Sequence, residues 1–118
     1  MATILLVEDD ADVRFIIEHV LLDEGHQVDV AATVATGFGL LNSREYDLVI
    51  ADGKLPDGTG LDVADTAVDR EVKALVMTGY AFTLPRKAAN RYEILLKPLR
   101  PREIVAAVER TLEGCSSN

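Results

Sequence analysis

Residues 47–60 read Asp-Leu-Val-Ile-Ala-Asp-Gly-Lys-Leu-Pro-Asp-Gly-Thr-Gly. The run Leu48-Val49-Ile50-Ala51 is continuously apolar instead of alternating. That is the pattern of a strand buried on both faces, as in a parallel sheet covered by helices. It ends on Asp52, and Asp57-Gly58 soon after is a turn signal. Two other runs share the pattern: Ile4–Val7, which ends on Glu8 and Asp9, and Ala74–Met77, which ends on Thr78. With β-rich stretches near 26–31 and 93–97, five strands are expected, at about 3–8, 26–31, 47–52, 73–78 and 93–97.

Helical patterns separate these strands. Val13, Ile16, Ile17, Val20 and Leu21 recur at helical spacing, and so do Ile104, Val105, Val108 and Leu112. Thr33 suits an N-cap for a second helix, although Gly37 and Gly39 within it cost about 1 kcal/mol each relative to Ala. A third helix is expected from about Gly60 to Val68, and a short fourth near 84–91, opened by Pro85. Strands alternating with helices predict an α/β fold, a doubly wound parallel sheet with helices on both faces. Such sheets bind ligands at the carboxyl ends of their strands.

Length and composition narrow the function. The chain's 118 residues suit one domain, expected over 1–114 with a tail at 115–118, and 48% hydrophobic with 27% charged residues is ordinary globular content. No apolar run approaches the roughly 18 residues that span a bilayer, and the start shows no leader pattern. The lone Cys115 forms no internal disulfide, so a reducing, cytoplasmic setting is expected. The net charge is −8, which argues against nucleic acid as a partner. Residues 1–85 carry 5 basic and 16 acidic side chains, whereas 86–118 carry 7 basic and 4 acidic. Arg86, Lys87, Arg91, Arg100, Arg102 and Arg110 therefore mark a candidate partner or dimer face.

The strand ends bring together Glu8, Asp9, Asp52, Thr78 and Lys97. Three carboxylates in one crevice repel one another, and a hard divalent cation such as Mg²⁺ relieves this with carboxylate, water and phosphate oxygens. Beside such an ion, Asp52 is a carboxylate nucleophile of the kind that forms an aspartyl-phosphate. Thr78 and Lys97 are suited to the transferred oxygens. A Ser or Cys nucleophile with a His base is not supported, because His19 falls in the first helix pattern and His26 at the entry to the second strand.

Leu5-Leu6-Val7-Glu8-Asp9-Asp10, Asp47–Asp52 with Leu55-Pro56 and Gly58-Thr59-Gly60, Val76-Met77-Thr78-Gly79, and Leu96-Lys97-Pro98 together resemble a response-regulator receiver domain over essentially the whole chain. The resemblance implies the flavodoxin-like strand order 2-1-3-4-5. It makes Asp52 the phosphoacceptor, and Glu8 and Asp9 the acidic pair, with Asp9 the more direct Mg²⁺ ligand. It adds the Lys54 backbone carbonyl as a further ligand, gives Thr78 and Lys97 to the phosphoryl group, and puts Pro98 after a cis peptide. It implies as phosphodonor a histidine kinase or histidine phosphotransfer protein, and as output a changed surface. Length leaves no room for an effector domain, so a stand-alone regulator, or a receiver from a larger protein such as a hybrid kinase, is expected.

The chain departs from this family where relatives carry an aromatic switch residue, three positions before Lys97, which is Ile94 here. Tyr92, of the same side-chain parity, and Tyr80, two residues after Thr78, are candidate substitutes, and the segment 79–92 is expected to reorganise on phosphorylation. Two other classes stay open on the residues alone. One is an interaction module that uses the fold without phosphorylation. The other is a Mg²⁺-dependent aspartyl-phosphate hydrolase, which would want a second carboxylate two residues after its nucleophile, where Lys54 stands. Asp10 and Asp12 also suit a plain helix start.

Overall fold

A computed structural model describes residues 1–79 and 91–113. In chain order its elements are β1 (Thr3–Val7), α1 (Ala11–Asp23), β2 (Gln27–Ala31), α2 (Val34–Ser43), β3 (Leu48–Asp52), α3 (Gly60–Asp69), β4 (Lys73–Thr78), β5 (Glu93–Leu96) and α4 (Pro101–Glu113). The five strands form one parallel sheet in the order β2-β1-β3-β4-β5. The doubly wound expectation therefore holds, and each expected strand lies within one residue of its limits.

The apolar runs explain the layers. Successive side chains of a strand point to opposite faces. Ile4, Leu6, Leu48, Ile50, Leu75 and Met77 pack with Ile17, Leu21, Ile104, Ala107 and Val108 of α1 and α4. Leu5, Val7, Val49, Ala51, Ala74 and Val76 pack with Val34, Leu41, Val63, Ala64 and Ala67 of α2 and α3. The central strands have no solvent side, so no polar residue interrupts them.

Two helix readings change. Ile16 is 52% exposed and so does not join the core face of α1, where only Ile17 and Leu21 are fully buried. At 100° per residue, Ile16 and Ile17 cannot both point at the sheet. Ile16 instead lines the rim of an apolar groove of about 450 Å³ between α1 and α4. Within α2, Gly37 is a packing requirement, because a Cβ there would stand 3.1 Å from Val7 Cγ2. The helix lies that close to β1. Thr33 does cap α2, accepting the Thr36 amide. The expected helix near 84–91, with Pro85, Arg86 and Lys87, lies almost wholly outside the described residues, as do Tyr80 and Cys115.

The strand order reverses between β1 and β3, since the chain leaves β1 toward β2 and returns to add β3 on the other side. The crevice at that reversal, outside the carboxyl ends, is where an open α/β sheet binds its ligand. Glu8 follows β1 directly, and Asp52 ends β3.

Candidate functional site

Five of the expected site residues meet in this crevice. Glu8, Asp9, Asp52, Thr78 and Lys97 line one cleft of about 540 Å³ together with Lys54. The Lys97 ammonium donates to Asp52 Oδ2 at 2.8 Å and to Glu8 Oε1 at 3.1 Å. Glu8 Oε2 accepts the Asp10 amide at 3.0 Å, and Asp52 Oδ1 accepts the Lys54 amide at 3.2 Å. One carboxylate oxygen from each of Glu8, Asp9 and Asp52 lies within 4.8 Å of the others.

Local structure places each group. The Glu8 amide continues the ladder to Ala31 O, which turns its side chain inward to full burial. Asp9 comes next and is exposed. Asp10 leaves the cluster to cap α1, accepting the amides of Asp12 and Val13. Its helix-start role therefore holds. The Gly53 amide bonds Met77 O at 2.7 Å, and a Cβ on Gly53 would stand 3.2 Å from Thr78 Cβ. That glycine brings the Thr78 side chain beside the end of β3. The Lys97 amide bonds Thr78 O at 2.9 Å, which sets Lys97 at the level of Thr78, and Lys97-Pro98 is a cis peptide.

The electrostatics follow from burial. Burial pushes the Glu8 carboxyl up to about 7, the Asp10 amide opposes this, and the nearby Asp52 adds to it. Burial alone would pull the Lys97 ammonium down, but its bonds to Asp52 and Glu8 and their charges outweigh that, so it lies above the ordinary lysine value. Two carboxylates thus share one ammonium, and an oxygen-lined space for a further cation lies at their edge. Glu8, Asp9 and Asp52 supply the hard anionic oxygens that Mg²⁺ prefers, and the neighbouring cleft leaves room for water or phosphate.

Some contacts had no signal in the sequence. Arg14 donates to Glu8 O at 2.8 Å and Asp9 O at 3.4 Å, holding the acidic loop from behind. Gly60 starts α3 against the backbone of Asp52, where a Cβ would stand 2.0 Å from Asp52 O. A glycine opening a helix, a position whose backbone conformation does not itself require glycine, is the one trace this leaves in the sequence.

The switch candidates separate. Ile94 is half-buried on the α2/α3 side of the sheet, paired in register with Val76. Tyr92 lies buried in the same cluster, two residues farther from the cleft, and its hydroxyl bonds Asp65 of α3. Burial, reinforced by Asp65, pushes that hydroxyl up to about 12. The basic face is smaller than the charge count implies. Arg91 pairs with Asp65 and Asp69, and Arg110 with Glu93. No ion pair to Arg100 or Arg102 occurs among the described residues.

A family model described as the response regulator receiver domain matches residues 4–109. The transcriptional regulator NtrC of Azospirillum brasilense is 32% identical over 118 residues, covering 96% of this chain and 24% of that protein. The receiver protein CpdR of Brucella abortus is 30% identical over 117 residues, covering 95% of this chain and 98% of that one. The chain thus spans about a quarter of the first relative and nearly all of the second. The response regulator TrrA of Thermotoga maritima, solved in complex with Mg²⁺-BeF, superposes with a TM-score of 0.84 at 26% identity, covering 94% of this chain and 99% of that one.

Proposed function

The chain belongs to the response regulator receiver domain family, and on that premise we propose that Asp52 is its phosphoacceptor, supported by Mg²⁺, Thr78 and Lys97. The observation that carries this reading is the convergence of Asp52 with the Glu8–Asp9 pair and the Lys97 ammonium at one strand-end crevice. A carboxylate held beside a fixed ammonium has an oxygen positioned for attack and a cation ready for the incoming charge.

An Asp52 oxygen attacks the phosphorus of a phosphohistidine on the donor. The new O–P bond forms as the N–P bond breaks, and the imidazole leaves with its electron pair. Lys97, freed from Asp52 Oδ2, then pairs with a phosphoryl oxygen, and Thr78 donates its hydroxyl to another. Glu8, Asp9, Asp52 and the Lys54 carbonyl are the groups that would hold Mg²⁺, whose charge would neutralise the remaining oxygens. Water later attacks phosphorus, the Asp52 O–P bond breaks and inorganic phosphate leaves, returning the free carboxylate; the same Lys97 and Thr78 contacts to the phosphoryl oxygens assist this dephosphorylation. That TrrA was solved in complex with Mg²⁺-BeF supports Mg²⁺ as the cation.

A histidine kinase or histidine phosphotransfer protein is the partner class, and the cytoplasm the setting. Among the described residues no helix is long and apolar enough to cross a membrane. Of the candidate basic face, Arg100 and Arg102 are the described residues left to meet an acidic downstream partner or second copy. The domain itself runs over residues 1–114. Ile94 has no hydroxyl, and Tyr92 is committed to Asp65. Switching by Tyr80, and most of the expected 79–92 rearrangement, lies outside the described residues.

The test is incubation with Mg²⁺ and acetyl phosphate, followed by peptide mass spectrometry. Wild type gains one phosphoryl group on the peptide holding Asp52, and Asp52→Asn gains none. Labelling that persists in Asp52→Asn, or maps to another residue, refutes the assignment. A wild type that takes no label favours the phosphorylation-independent module.

A further inference from the structure

The turn that follows the phosphoacceptor strand is fastened to the helix that packs over β1. Asp57 Oδ1 accepts the Val34 amide at 2.8 Å, and Oδ2 accepts the Ala35 amide at 3.0 Å. These are the first two amides of α2, donors that no carbonyl within a helix can satisfy. Of the first helix amides the Thr33 side chain, the local cap, takes that of Thr36, and the carboxylate arrives from 22 and 23 residues away to complete the helix start. The two amides hold the Asp57 carboxyl below the usual carboxylate range.

The turn itself is closed. The Leu55 amide bonds Gly58 O at 3.1 Å, and the Gly58 amide bonds Leu55 O at 3.3 Å. Gly58 has φ +155°, and a Cβ there would stand 3.3 Å from Val34 Cγ2. Leu55 and Val34 are buried in the same core cluster. Val34 therefore holds the turn by its amide, by its side chain and through the core.

This matters at the cleft because a peptide unit is planar and rigid. The Lys54 carbonyl and the Leu55 amide belong to one such plane. With that amide held on Gly58 O, the direction of the Lys54 carbonyl is set by the turn, and the turn is set by Asp57 on α2. We propose that Asp57 is a positioning residue for the cation: by clasping α2 it holds the turn, and with the turn the Lys54–Leu55 peptide unit beside the acidic cleft that Lys54 lines. The proposal rests on the reading of this cleft as a Mg²⁺ site, and it makes α2 a mechanical part of that site.

Coupling of this kind is reciprocal: whatever factor the clasp adds to Mg²⁺ affinity, Mg²⁺ adds to the stability of the clasp. The experiment is calorimetric titration of the whole chain with MgCl₂, paired with amide exchange by NMR at Val34 and Ala35. Asp57→Ala weakens Mg²⁺ binding by about fivefold or more, whereas Thr33→Ala, which removes a cap from the same helix, leaves it within about twofold. Asp57→Asn falls between, since its amide oxygen still accepts one bond. In the wild type, Mg²⁺ slows exchange at Val34 and Ala35, and in Asp57→Ala it does not. Urea unfolding confirms that each variant is folded during the titration. Wild-type Mg²⁺ affinity in Asp57→Ala, or exchange at Val34 and Ala35 that ignores Mg²⁺, overturns the proposal and leaves Asp57 a helix cap. A wild type that binds no Mg²⁺ refutes the metal reading itself, and the proposal falls with it.

Discussion

Replacing Glu8 by Gln separates the burial of a carboxylate from every other pH effect in this chain. Glu8 is fully buried, and its carboxyl is raised from 4.5 to about 7, chiefly by desolvation. The folded state therefore holds this proton more tightly than the unfolded chain does. Below pH 4.5 both states are protonated and Glu8 adds no pH dependence. Between 4.5 and 7 the fold must either keep the proton or bury a charge, so stability falls as pH rises, and above 7 the loss is complete. A shift of that size corresponds to a loss on the order of 3 kcal/mol, from 1.36 kcal/mol per unit. In Glu8→Gln the loss is absent, and Gln still accepts the Asp10 amide. Urea unfolding in EDTA, repeated from pH 5 to 8.5, measures the difference. With a urea slope of about 1–3 kcal/mol/M, the gap between the two midpoints changes by roughly 1–3 M across the range, always in favour of Gln at high pH. Saturating Mg²⁺, which compensates the carboxylates, lifts the wild type at pH 8 more than at pH 5.5 and narrows the gap. Parallel stability profiles for the two proteins in EDTA refute the argument that burial controls Glu8.

Gly60→Ala puts a Cβ 2.0 Å from Asp52 O, about 1 Å closer than real contacts, and the two nearest atoms, Asp52 O and C, are backbone. Overpacking of this kind costs about 3 kcal/mol or more, and because the moved atoms belong to Asp52, acetyl phosphate labelling falls together with the urea midpoint. Unchanged labelling and an unchanged midpoint would contradict the close approach of α3 to β3. Asp9 is exposed and its side chain has no hydrogen bond or ion pair among the described residues, so Asp9→Asn changes stability in EDTA by about 0.5 kcal/mol or less while shrinking the rise in melting temperature that Mg²⁺ produces. A Mg²⁺-dependent rise as large as that of the wild type removes Asp9 from the metal site.

The layered sheet was legible because its central strands are apolar on both faces, and a run such as Leu48–Ala51 has few other ways to bury itself. The polar group that ends each run was legible for the same reason: Glu8, Asp52 and Thr78 interrupt apolar sequence at the one edge where an α/β sheet meets a ligand. That these groups meet follows from topology once the strand order is known, and the order itself came from family resemblance. Periodicity, a one-dimensional signal, overreached on α1, where apolar residues surround much of the helix and only contact with the sheet decides that Ile17 is buried and Ile16 is not.

What only the tertiary structure decided are contacts between residues far apart in the chain, where neither partner signals the other. Gly37 read as a weak point in a helix until β1 was seen to lie 3.1 Å from its missing Cβ. Asp57 read as a turn residue, and the turn is there, but its carboxylate serves Val34 and Ala35. Arg91 read as part of a basic face and is bound to Asp65 and Asp69. Patterns of 2 and 3.6 residues report which way a side chain leaves its own element, because that depends on local backbone geometry. Which partner it then meets depends on how elements tens of residues apart pack together, and no local spacing carries that information.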